Sequence, residues 1–174
     1  MKPRKHQKRS STGRISLVIL VLLISVIVVY NPISVRIATI GVAVYNGIDP
    51  AIFYRLIRAE SSFRSFAISP AEAIGLGQLR ESTAYYIHKK HKRGLLFVPV
   101  YNLNLAAKYL IYLKGRYQGN WSLALAAYNW GETNVSTRFR GEKINPVTDY
   151  RYRFKDIPET YNYISKIIPL KNKA

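Results

Sequence analysis

Apolar positions along this chain fall into one unbroken run followed by a series of periodic ones. From Ile15 to Tyr30 the sequence ISLVILVLLISVIVVY carries only Ser16 and Ser25 as polar residues. At about 1.5 Å per residue these positions reach about 24 Å as a helix, slightly less than the roughly 30 Å hydrocarbon core of a bilayer. Extension to Ile33 lengthens the span, and Tyr30 suits the membrane interface. No polar face interrupts the run, which argues against a buried core helix. Residues 34–48 mix apolar positions with Gly41 and Gly47 and read as a connecting segment holding a short helix or two.

Beyond this point the pattern is helical. Asp49-Pro50 pairs an N-cap acceptor with a proline at the first helical position, and Ile52, Leu56, Ala59 and Phe63 then recur at helical spacing. A second helix is expected from a Ser82 cap to Ile87, followed by the basic loop His88–Gly94. Leu103, Ala107, Leu110, Leu113 and Tyr117 share one face of a helix over 102–117. Asn120 caps an Ala/Leu-rich helix from Trp121 to Trp130, which Gly131 closes. Residues 136–157 read as irregular, and Glu159 to Ile168 supplies a last helix before Pro169 and a basic tail. No β alternation of useful length appears. The fold class is therefore mostly α: a helical domain over 49–170 behind a basic leader (1–14), one transmembrane segment (15–33) and a connector (34–48).

Charge refines this picture. The chain has 27 Lys+Arg against 9 Asp+Glu, a formal +18, and residues 1–14 supply six of the basic groups, so the remainder keeps 18 − 6 = +12. Such a balance points to an anionic partner: nucleic acid, a membrane surface or a polyanionic envelope. A basic leader before an apolar run is retained in the cytoplasm, placing everything after Asn31 outside. The stretch after Tyr30, Asn31-Pro32-Ile33-Ser34-Val35-Arg36, makes a poor signal-cleavage site, which favours a signal anchor over a cleaved signal peptide. The chain has no cysteine, which excludes a disulfide scaffold, a thiolate metal site and a cysteine nucleophile. His88 and His91 stand at i,i+3, but four Lys/Arg crowd them and no carboxylate is adjacent, so no metal is expected.

Three segments can carry chemistry. Glu60 lies one turn beyond Leu56 and Ile57. A carboxyl on an apolar face is pushed toward its protonated form, as an acid catalyst of glycosidic cleavage requires. Its plainer reading is an exposed i,i+4 pair with Arg64. The segment Ser69–Leu79 carries Ser69 and Gln78 with Gly75 and Gly77, where backbone and ligand can approach closely. Ala126-Ala127-Tyr128-Asn129-Trp130-Gly131 ends an apolar helix with polar and aromatic groups.

Glu-Ser-Ser-Phe, then Ser-Pro…Gly-Leu-x-Gln-Leu…Ser-Thr-Ala, then Asn-Leu before Tyr-Leu, then Ala-Leu-Ala-Ala-Tyr-Asn-x-Gly follow in an order that resembles the lytic transglycosylase family with the soluble-lytic, lysozyme-like (goose-type) catalytic domain. The resemblance covers about residues 45–168. It implies a lysozyme-like helical fold in which Glu60 is the single catalytic glutamate. Ser69 and Gln78 would line the sugar cleft, Tyr128 would hydrogen-bond near the glutamate with Asn129 beside it, and Glu159 in the closing Pro-Glu-Thr motif would face the cleft.

The chain departs from the family pattern at several positions. Gly77 stands where methionine is usual, which predicts a missing apolar wall. Arg80-Glu81 replaces a Met-Pro-like pair, and Val98 and Ala106 replace an aspartate and a glycine. Trp130 replaces a small residue and Tyr161 an arginine.

The implied reaction needs no cofactor. Glu60 protonates the bond between N-acetylmuramic acid and N-acetylglucosamine of peptidoglycan, the acetamido group assists with Tyr128 and Gln78 holding it, and the C6 hydroxyl closes to a 1,6-anhydro product. Expected partners are glycan strands, the inner membrane through the apolar helix, and envelope proteins, with no nucleic acid. The rival readings are a lysozyme-type hydrolase and a catalytically silent peptidoglycan binder.

Overall fold

The computed structural model describes residues 11–169, so most of the basic leader and the end of the basic tail lie outside the described residues. Among the described residues there are eight α-helices: α1 (Ser11–Tyr30), α2 (Pro32–Tyr45), α3 (Pro50–Ser61), α4 (Glu81–Ile87), α5 (Pro99–Arg116), α6 (Trp121–Trp130), α7 (Glu132–Arg138) and α8 (Pro158–Ile167). Two 3-10 turns, Arg93–Phe97 and Arg151–Phe154, join them. Among the described residues there is no strand, only isolated bridges linking Ile68, Ile74 and Leu79. The mostly helical class read from the sequence is what the chain adopts.

α1 holds a stretch from Gly13 to Tyr30 long and apolar enough to cross a membrane, with none of it buried in the protein. α2 follows after a single residue. Asn31 caps it by accepting from Ile33 N at 2.8 Å, with Pro32 in the first turn. Most of the segment read as a connector (34–48) is thus one continuous helix, ending at Tyr45, and Val35, Thr39, Val42 and Ala43 bury one side of it. The Thr39 hydroxyl satisfies itself on Val35 O at 2.8 Å, which makes its burial tolerable.

α2 packs on α3 and α5, α5 on α6, α6 on α7 and α8, and α3 on α8. α6 is enclosed along its length: Ser122 through Ala127 are all buried, and the small alanines let neighbouring helices close around it. Asn120 anchors its start. The side-chain oxygen accepts from Leu123 N at 3.0 Å, while the amide nitrogen donates to Asn145 O and Thr148 O at 2.8 and 2.7 Å. One buried asparagine therefore caps the helix and fastens the irregular 139–150 segment to it.

Several boundaries differ from expectation for local reasons. α3 ends at Ser61 rather than Phe63, because Ser62 and Phe63 both turn left-handed (φ 52° and 64°). α4 begins at Glu81 after Arg80, and Ser82 does not cap it. α5 starts at Pro99, three residues earlier than Asn102, since proline at the first turn needs no donor. α7 overlaps, in its last turn, the start of the 136–157 stretch read as irregular. Its Thr, Asn, Val and Ser are poor helix formers, but Glu132 at its start accepts from Tyr112 Oη at 2.9 Å and Arg116 Nε at 3.1 Å on α5. Gly131 (φ 97°) makes the turn from α6 into α7.

Candidate active site

α3, α6 and α8 converge with the 69–83 segment around a cleft of about 660 Å³. Glu60, Ser69, Gln78, Tyr128, Asn129 and Glu159 all line it, so the structure brings the six residues that the resemblance implied for the site to one place. Ala59, Arg80, Tyr109, Trp130, Tyr163 and Lys166 line it as well.

Glu60 reaches the cleft because of how α3 is turned. Leu56 and Phe63 of the expected Ile52–Leu56–Ala59–Phe63 series are buried and Ile52 is half-buried, but Ala59 is exposed, and Phe53 and Ile57 complete the buried stripe. Glu60 stands one turn beyond Leu56 on that stripe, where the apolar face opens on the cleft. It makes no pair with Arg64. The Arg64 guanidinium instead donates through Nε to Ser61 O at 3.1 Å, capping the end of α3. The surface ion-pair reading of Glu60 is thereby replaced by a partly buried carboxyl.

The Tyr163 hydroxyl on α8 donates to Glu60 Oε1. Desolvation at the cleft floor raises the Glu60 pKa from 4.5 to about 7; the Tyr163 bond opposes this by favouring the carboxylate, and the nearby charge of Glu159 adds to the rise. Near neutrality the group is thus divided between acid and base forms, which suits one residue that must both give and take a proton. Tyr163 and Tyr128 are themselves held well above the usual phenol range, chiefly by burial and then by the Glu60 charge, so both remain neutral donors.

The resemblance had Tyr128 hydrogen-bond near the glutamate. In the structure the Tyr128 hydroxyl donates to Gly77 O at 2.7 Å, close enough to feel the Glu60 charge, and the phenol bonded to Glu60 itself is Tyr163. Tyr163 lies 103 residues from its partner, so no spacing rule could have paired them. The only available signal was its position four residues after Glu159 in the closing motif.

The 69–79 segment is held by its own turns and by one buried side chain. Ser69 Oγ accepts from Ala73 N at 3.0 Å, and Gln78, itself left-handed (φ 46°), donates from Nε2 to Gly75 O at 2.8 Å and Ala67 O at 3.3 Å. Gln78 therefore braces the segment with its nitrogen, and only its oxygen side remains for a ligand. Asn102 on α5 is fully buried: Oδ1 accepts from Gly77 N at 2.7 Å, and Nδ2 donates to Ile74 O and Leu96 O at 3.0 and 2.8 Å. Gly75 (φ 77°) sits so close to this amide that a side chain would collide with it.

Gly77 has a different cause. A Cβ there would lie 2.5 Å from Ala106 Cβ and 3.0 Å from Tyr128 Oη. Two departures from the family pattern, Gly77 and Ala106, therefore fit one another: the Ala106 methyl occupies the room a side chain at 77 would enter. Asn129 accepts from Thr160 Oγ1 at 2.8 Å and ties α6 to α8. Glu159 is exposed in the first turn of α8, where a carboxylate is favoured by the helix dipole.

Outside the cleft, His88 Nδ1 and His91 Nδ1 each lie 3.1 Å from the Tyr101 hydroxyl, and no metal-holding group of three or more His, Cys, Asp or Glu side chains occurs among the described residues.

The helical fold thus stations one raised carboxyl in an open cleft, with neutral phenols around it and basic side chains at its edge. The family model for the Transglycosylase SLT domain matches residues 39–149. The chain belongs to that family and has its lysozyme-like fold. It is 29% identical over 111 residues to membrane-bound lytic murein transglycosylase C of Edwardsiella ictaluri (strain 93-146), a match covering 56% of this chain and 31% of that relative. This chain thus spans about a third of the curated relative it matches. Among solved structures, an inactive mutant of lytic transglycosylase Slt from Pseudomonas aeruginosa superposes with a TM-score of 0.67 at 28% identity, over 76% of this chain and 22% of that one. The 70 kDa soluble lytic transglycosylase of Escherichia coli gives 0.60 at 26% identity, over 69% and 20%.

Proposed function

We propose that this chain cleaves the β-1,4 bond between N-acetylmuramic acid and N-acetylglucosamine in peptidoglycan without water, leaving 1,6-anhydro ends. The observation that carries this reading is Glu60: one carboxyl with a pKa of about 7, bonded to Tyr163 at the floor of a cleft. Protonated Glu60 delivers its proton to the glycosidic oxygen as the bond breaks. The substrate's acetamido group stabilises the cation at C1. The resulting carboxylate, accepting from Tyr163, then removes the proton from the C6 hydroxyl, whose oxygen closes on C1 and restores protonated Glu60.

Ser69, Gln78, Asn129 and Glu159 are assigned to substrate binding from their place on the cleft wall. Tyr128, its proton committed to Gly77 O, braces the 75–78 turn and presents its ring and oxygen to the sugar. In this reading α1 anchors the chain in the inner membrane with the domain of residues 49–170 on the periplasmic side, where glycan strands lie. The basic excess suits a polyanionic wall.

Glu159 is a second carboxylate on the cleft, and it gives a lysozyme-type hydrolase its one specific support, since hydrolases commonly use two carboxylates. Glu60→Gln, assayed as full-length protein on purified cell walls, should abolish release of soluble fragments while the helical content stays unchanged. Substantial residual release would remove Glu60 from the mechanism.

A further inference from the structure

α2 has two apolar faces, and the domain uses only one of them. Val35, Thr39, Val42 and Ala43 are buried. On the opposite side Ile33, Ile37, Ile40 and Val44 form a second stripe, each between 45% and 65% exposed. At 3.6 residues per turn these four side chains point within about 60° of one another. Arg36 stands at the edge of the stripe, and no charged residue interrupts it. A lone exposed apolar residue is ordinary, but four in register on a helix already buried on its other side make a patch that calls for a cover. Near the start of α2, exposed Phe66 stacks on Tyr30, the last residue of α1, at 5.0 Å and 13°, and on Phe97 at 6.0 Å.

We propose that this face lies on the bilayer that α1 crosses, so that α2 and Phe66 form a lateral contact with the leaflet on the domain's side. The inference rests on α1 spanning a membrane. Continuity names the occupant: α2 starts one residue after α1, and Ile33 is three residues from Tyr30, so the stripe begins where the chain leaves the hydrocarbon. The Tyr30–Phe66 pair at that junction is of the residue types favoured at an interface. Arg36 beside the stripe and Arg64 near Phe66 suit anionic headgroups. Because α3 packs on α2, seating α2 on lipid holds Glu60 and its cleft at one height and tilt above the membrane instead of on a swinging tether.

The chain lacks cysteine, so single cysteines can carry nitroxide labels in the full-length protein reconstituted into anionic proteoliposomes. Labels would be placed at Val21→Cys in α1, at Ile37→Cys and Val44→Cys on the stripe, and at Lys143→Cys on an exposed loop. Labels at 37 and 44 should be relaxed more by oxygen than by a water-soluble nickel chelate, as at 21, with the preference reversed at 143. Water-like labels at 37 and 44 with a lipid-buried label at 21 would overturn this inference alone. A water-like label at 21 would overturn the reading of α1 and this inference with it. Shielding of 37 and 44 from both reagents, with spin–spin coupling, would mean that a second copy covers the face, and would also overturn it.

Discussion

Raising a carboxyl's pKa costs folding stability, and for Glu60 the cost is large enough to measure. The rise from 4.5 to about 7 corresponds to about 3 kcal/mol, at about 1.4 kcal/mol per pH unit. The folded state holds the Glu60 proton more tightly than the unfolded chain. Between pH 4.5 and 7 folding therefore takes up a proton, and stability is lost as pH rises through that window. Glutamine cannot ionise, keeps an oxygen for the Tyr163 hydroxyl, and escapes the penalty. Relative to wild type, Glu60→Gln should gain about 3 kcal/mol between pH 4 and pH 8. Urea unfolding of full-length protein in detergent, followed by Trp121 and Trp130 fluorescence on α6, would report it. A difference between the two proteins that stays flat with pH, or that moves toward wild type at high pH, would refute the raised pKa and the catalytic role argued from it.

Other substitutions test the parts around Glu60. Tyr163→Phe removes the bond that favours the carboxylate; at about 1.5–3 kcal/mol for a hydrogen bond to a charged group, the fall of kcat/KM above pH 7 should move up by roughly 1 to 2 pH units, and a limb that stays or moves down would be contrary. Asn102→Ala leaves Gly77 N and Leu96 O without their partner, while Ile74 O keeps the Leu79 N–H at 3.1 Å, and should cost about 3 kcal/mol by denaturant titration. Gly77→Ala should cost about 1–3 kcal/mol through overpacking against Ala106, and Ala106→Gly should return most of it, which a double-mutant cycle would show as coupling.

The parts of the fold governed by neighbouring residues were legible in the sequence. Asp49-Pro50 starts α3, with Asp49 Oδ1 accepting from Ala51 N at 2.7 Å, and Asn120 starts α6 with its own side chain. The unbroken apolar run from Ile15 needed no tertiary information to form a helix. What was not legible depends on distant partners. α7 forms because Tyr112 and Arg116 hold Glu132, a contact its own residues do not announce. The buried face of α3 keeps Leu56 of its hydrophobic series but takes Phe53 and Ile57 in place of Ala59, which is exposed.

The same division runs through the cleft. Glu60, Ser69, Gln78, Tyr128, Asn129 and Glu159 were found by motif and do gather at one cleft, but motif order did not tell which atom bonds to which. Tyr163 rather than Tyr128 meets Glu60, and Gln78 spends its nitrogen on the backbone of its own turn. Gly77 and Ala106 read as two separate departures from the family pattern and are one steric exchange.

The fate of water in the reaction tests the account most directly. Cell walls digested by the full-length protein in water enriched in heavy oxygen should yield muropeptides ending in 1,6-anhydro sugar, one water lighter than reducing ends and free of the isotope. Reducing ends carrying heavy oxygen at C1 would show hydrolysis, and would contradict a single-carboxyl mechanism centred on Glu60.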